Sequence, residues 1–183
     1  MWPLLAAALL APVDLPVLAK SPAFGLTDQD GRKFVSSSLK GKVWVADFIF
    51  TSCTDVCPGM TRSLRRVQKA LGKVGGFRYV SFSIDPARDT PSRLKAFALQ
   101  HGADLSTWSF LTGSSESEMD RIARAFLVHS GHTADGKSGH APVTHSQRFV
   151  LVDQRGQVRG AYRSDDEGVD RLVAGARQLL GTP

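Results

Sequence analysis

The run KVWVADFIF, residues 42–50, limits what this chain can become more than any other stretch. It is apolar almost without a break and rich in valine and aromatic residues, with none of the alternation of a strand that faces water on one side. Such a run belongs in a central strand covered on both faces, which means a sheet held between helices. The next residues fit that picture. Met60, Leu64, Val67 and Leu71 recur at helical spacing and make one face of an amphipathic helix, and Pro58 suits its first turn.

This strand-then-helix unit recurs down the chain. FRYVSFSID reads as a strand, and DTPSRLKAFALQ as a helix with Asp89 or Thr90 as its cap and Pro91 just inside. WSFLTG is another strand. SSESEMDRIARAFLV is a helix opened by a capping box from Ser115 to Glu118, with Met119, Ile122, Ala123 and Phe126 on its apolar face. HSQRFVLVDQRGQVRGAYRS reads as a hairpin turning at Gly156, and the last helix, from about Asp166 to Leu180, buries Val169, Leu172, Val173 and Ala176. Near the N-terminus, Asp30-Gly31 in AFGLTDQDGRKFVS marks a further hairpin. Alternating units predict an α/β fold with parallel crossovers, the terminal hairpin adding an antiparallel edge. A chain of 183 residues fits one such domain, and it shows neither an internal repeat nor a linker.

Charge narrows the function. Lys and Arg number 23 against 17 Asp and Glu, a net +6, yet no basic run is longer than a pair such as Arg65-Arg66 and the rest are scattered. Nucleic-acid binding calls for a concentrated basic patch, so it is not expected. The N-terminal residues 2–13 are uncharged and apolar, too short to span a bilayer but long enough for the core of an export signal. Residues 1–20 are therefore read as an export signal or membrane anchor, and 21–183 as the folded domain.

Both cysteines of the chain, Cys53 and Cys57, lie in FTSCTDVCP, where the buried strand gives way to the helix. In open α/β sheets this C-terminal strand edge is where ligands bind. If the helix begins near Cys53, a spacing of four puts both sulfurs on one face, and the positive end of the helix dipole favours thiolate. Core thiols, a structural disulfide, a redox pair and a metal site are all open. A disulfide closing so short a loop removes little unfolded-state entropy. Thioredoxin-type redox motifs place two residues between the cysteines, not three, which tips the balance toward metal. Two thiolates leave room for imidazole. The chain has 5 histidines, His101, His129, His132, His140 and His145. The last four cluster in a stretch rich in Gly, Ser and Thr, and His145 alone adjoins a strand. Two thiolates and one imidazole suit copper(I).

Four stretches in order, LPVLAKSPAFGLTDQDG, FTSCTDVCP, SFSIDPARDTPSRLKAF and THSQRFVLVDQRGQVRGAY, resemble the Sco/SenC family, copper-handling proteins of thioredoxin-like fold. The similarity spans roughly residues 15–180. It implies a peroxiredoxin-type mixed sheet flanked by helices, with an N-terminal hairpin. It implies that Cys53, Cys57 and His145 are copper ligands, and that the protein helps assemble the CuA centre of cytochrome c oxidase. The implied partners are the copper-receiving oxidase subunit and an upstream copper donor or thiol reductant. The implied location is the periplasmic side of the inner membrane, where the protein is tethered or free. The competing function is a thiol–disulfide oxidoreductase using the same Cys53 and Cys57. A peroxidase fits less well, because peroxiredoxins carry threonine three residues before the reactive cysteine, where this chain has Phe50. Thr54 stands where many family members carry proline, and the family pattern does not account for His129, His132 and His140.

Several neighbours of the cysteines have plainer expected roles. Asp85 is read as shaping the loop beside the site, Asp55 as a helix cap and Met60 as core. Arg62, Arg65 and Arg66 are read as a solvated helix face.

Overall fold

The computed structural model describes residues 15–72, 74–128 and 147–181. Eight strands form one sheet in the order β1-β8-β7-β4-β5-β6-β2-β3. The strands are β1 (Ala19–Lys20), β2 (Gly25–Asp28), β3 (Lys33–Val35), β4 (Val43–Ile49), β5 (Phe77–Ser83), β6 (Trp108–Thr112), β7 (Arg148–Val152) and β8 (Gln157–Arg163). The helices are α1 (Val56–Leu71), α2 (Pro91–Gln100), α3 (Glu116–Ala125) and α4 (Asp166–Leu180).

The central strand behaves as its composition requires. Every residue of β4 is buried, and it lies between β5, which it pairs in parallel, and β7, which it pairs antiparallel. Its side chains alternate between two cores. Val43, Val45 and Ile49 pack with the buried faces of α1, α2 and α4, while Trp44, Ala46 and Phe48 pack with α3 and the N-terminal hairpin. The parallel β4-β5-β6 crossovers and both hairpins are as the sequence predicts. The hairpin of β7 and β8 is not the edge, however. Ala19 and Lys20 pair with Val158 and Gln157, so β1 covers β8, and Arg159 holds the carbonyl of Leu15. Residues 15–20 thus pack into the folded unit, whereas residues 1–14 of the expected leader lie outside the described residues. No helix among the described residues is long and apolar enough to cross a membrane.

One helix start settles between two expected caps, and another differs in detail from expectation. Thr90, not Asp89, caps α2, its hydroxyl accepting from the Arg93 N–H at 3.4 Å. Ser115 caps α3, but the Glu118 carboxylate reaches back to the N–H and hydroxyl of Ser114, both at 2.9 Å, and not to Ser115. The capping box is displaced by one residue because Ser114 offers two donors.

Candidate metal centre

The cysteine turn leaves the C-terminal end of β4 and closes on itself before α1 begins. The Cys53 N–H donates to the Phe50 carbonyl at 3.2 Å. Helix α1 starts at Val56, three residues later than a start at Cys53 would place it. The sulfurs meet nonetheless. The Cys57 N–H donates to Cys53 Sγ at 3.3 Å, and the two thiols are near enough to hydrogen-bond each other. Asp55 occupies the cap position but makes no capping bond through its side chain, so the expected role falls to sulfur. Pro58, in the first turn, brings no N–H that needs a partner.

The two thiols are electrostatically unequal. Burial works against the Cys53 thiolate, but the N–H groups of Cys57, Asp55 and Val56, with the Cys57 thiol, outweigh it and hold its pKa below the usual thiol value. Burial pushes Cys57 up. A hydrogen bond from the Phe50 backbone works the other way, and the Cys53 sulfur and the charge of Asp47 add to the rise. Cys53 is half-buried, and Cys57 is fully buried in the core with Met60. Brief iodoacetamide treatment of the reduced protein at neutral pH is therefore expected to label Cys53 well before Cys57. Mass spectrometry reads the order, and equal labelling of both would contradict the asymmetry.

Two carboxyl groups that sequence reasoning did not mark as site residues lie around the turn. Asp89 is fully buried and accepts from the Thr51 N–H at 3.0 Å, the Thr51 hydroxyl at 2.5 Å and the Ser83 hydroxyl at 2.6 Å. Asp47 is fully buried on the α1 side of β4. Its Oδ1 accepts from Ser81 at 2.6 Å, Ser81 accepts from the Trp108 indole at 2.8 Å, and Oδ2 makes no hydrogen bond among the described residues. Burial raises the Asp47 pKa to about 7, against a smaller lowering by Ser81. Within β4 Asp47 is the one charged residue, and its place among apolar neighbours is the sequence signal that could have flagged it.

The other named residues fall as follows. Asp85 shapes the β5–α2 loop: its carbonyl accepts from the N–H groups of Arg88 and Asp89, and its side chain pairs with Arg88 at 3.0 Å. Met60 is core. Arg66 pairs with Asp166 of α4, and Arg65 donates to Gln68. His101 ends α2 with its ring against Phe97, and burial followed by the nearby Arg62 lowers its pKa. His129, His132, His140 and His145 lie outside the described residues.

A central strand that ends in a two-cysteine turn and opens a helix, in a mixed sheet flanked by helices on both faces, defines a thioredoxin-like domain with a dithiol site. Residues 16–181 match the SCO1/SenC family, and the chain belongs to it. Among solved structures it is similar to a SCO1/SenC family lipoprotein from Bacillus anthracis, at 34% identity and a TM-score of 0.78, with 94% of this chain and 99% of that one covered. It is similar to BsSco, described as a member of the Sco family of cytochrome c oxidase assembly proteins and as having a disulfide switch. The identity there is 33% and the TM-score 0.75, over 90% of this chain and 95% of that one. It is also similar to copper-bound ScoI from Bradyrhizobium japonicum, at 27% identity and a TM-score of 0.71, over 88% and 99%.

Proposed function

We propose that this protein binds copper as cargo at Cys53, Cys57 and His145 and delivers it to the CuA centre of cytochrome c oxidase. The observation that carries the reading is the pair of adjoining sulfurs at the strand-to-helix turn, one of them predisposed to thiolate. Two soft donors that adjoin at the turn suit copper(I). Among the described residues no cluster of three or more His, Cys, Asp or Glu side chains forms. A third side-chain donor would therefore come from outside them, where His145 stands shortly before β7. The copper-bound relative and the relative described as an oxidase assembly protein support the cargo and the recipient, which is the copper-receiving oxidase subunit. The lipoprotein relative and the apolar N-terminus support export to the periplasmic side of the inner membrane, with a tether.

Copper(I) titration of the reduced full chain, wild type against His145→Ala, tests this. Loss of the imidazole is expected to weaken binding by at least the roughly tenfold to hundredfold that loss of a supporting group costs. The alkylation order of the cysteines should stay as it is. Unchanged affinity in His145→Ala would remove that residue from the ligand set.

The inequality of the thiols favours a second reading. A thiolate-prone, partly accessible Cys53 and a buried Cys57 are the attacking and resolving partners that a thiol–disulfide oxidoreductase needs. Such a reductase has no use for His145, so the same variant separates the two functions.

A further inference from the structure

Asp89 is a buried carboxyl group that makes no ion pair among the described residues. Burying such a group is costly unless hydrogen bonds replace its water. Here they come from neutral donors only, and most come from one residue. Thr51 donates both its N–H and its hydroxyl to Asp89, and Ser83, the last residue of β5, donates its own. Thr51 is the residue after Phe50. Phe50 in turn accepts from the Cys53 N–H and supports the Cys57 sulfur through its backbone. The turn that carries one sulfur and steadies the other is thereby fastened to the β5–α2 loop at a single side chain.

We propose that Asp89 is the positioning residue of the dithiol: its grip on Thr51 fixes the turn over residues 50–53 and keeps the Cys53 sulfur beside Cys57. Without that grip the turn would lose its fastening to the β5–α2 loop and rely on its local bonds, Cys53 to Phe50 and Cys57 to Cys53, and the two sulfurs would spend less time together. The inference deepens the proposed function and rests on it for copper, but it applies equally to closure of the disulfide. In that closure two thiols and one glutathione disulfide become one protein disulfide and two glutathione thiols. Two electrons pass to glutathione, and the two thiol protons go with them.

The chemistry of the acceptor decides the variants. Both Asp89 oxygens lie within reach of the Thr51 N–H, so Asp89→Asn, nearly the same shape, turns an amide NH2 toward that donor-only group and leaves one of the two hydroxyls to reverse and accept. Thr51→Val removes the hydroxyl, keeps the N–H and the volume, and Thr51→Ser restores the hydroxyl. Ile122→Val trims the core on the opposite face of the sheet and controls for lost stability alone.

The test is made on the full chain with two probes, equilibration in glutathione redox buffers and copper(I) competition with a chelator. Asp89→Asn and Thr51→Val are each expected to lower the disulfide-forming equilibrium constant about tenfold, read as a potential about 30 mV less reducing. Copper(I) affinity should fall about tenfold to hundredfold. Thr51→Ser should return both values toward wild type, and Ile122→Val should move neither. If Asp89→Asn fails to fold, Thr51→Val decides. A folded variant of either kind with wild-type potential overturns the proposal, as does an equal shift in Ile122→Val. If wild-type protein binds no copper(I), the proposed function falls, and the glutathione arm still decides the role of Asp89.

Discussion

Asp47→Asn is expected to remove a loss of stability of about 4 kcal/mol that the wild-type protein suffers as pH rises from 4 to 8. The magnitude follows from a folded pKa of about 7 against an ordinary 3.8. The folded state binds the Asp47 proton more tightly than the unfolded chain does. The stabilising contribution of that proton is therefore complete below the ordinary pKa, and it is lost as pH rises through the folded one. The cause is burial in the core beneath α1, opposed in smaller measure by the Ser81 hydroxyl and by a backbone hydrogen bond. Asparagine keeps an acceptor for Ser81 but cannot ionise, so whatever its amide costs is the same at every pH. Asp30 and Asp165, whose carboxyls are held low by their partners, act with the opposite sign but equally in both proteins. Urea denaturation of both proteins across this range checks the result. Parallel stability curves would show that Asp47 does not titrate in that window.

The larger effect on the proposed function belongs to the cysteines. Cys53→Ser and Cys57→Ser are each expected to weaken copper(I) binding by well over about a hundredfold, beyond what loss of a supporting group costs. A hydroxyl is a hard, neutral donor where the ion requires a soft thiolate. The two variants differ in their side effects. Cys53 stands half-buried at the turn, so its replacement leaves the core intact, whereas Cys57 is sealed in the core and serine puts a polar group there. Circular dichroism of both variants distinguishes a lost ligand from a lost fold. Oxidised wild-type protein should behave like the serine variants, because a disulfide holds no thiolate, and a reductant should restore binding. Wild-type copper(I) affinity in both serine variants would overturn the ligand assignment.

The layers of this fold were legible because hydrophobic periodicity reports burial directly. The unbroken run of β4 and the spaced Met60, Leu64, Val67 and Leu71 of α1 became central strand and buried helix face. The dithiol turn was legible for the same reason, as the place where one period gives way to the other. What stayed hidden depends on partners remote in sequence. Asp89 beside Thr90 reads as a helix cap, and only the meeting of β4 and β5 shows that it faces Thr51. Asp47 disappears inside an apolar run because window-averaged hydropathy hides a single carboxyl group. The pairing of β1 with β8 joins segments that share no local signal. His145, which the resemblance put forward, stays an expectation, since it lies outside the described residues.

The bond from the Cys57 N–H to Cys53 Sγ gives one sulfur two employments. It ends a helix that no other side chain caps, and it is half of the proposed cargo cradle. An ion or a second sulfur that draws on the same lone pairs weakens the bond that completes the first turn of α1. Under the proposed function, arrival and departure of the cargo would thus be felt by the backbone at the lip of the site.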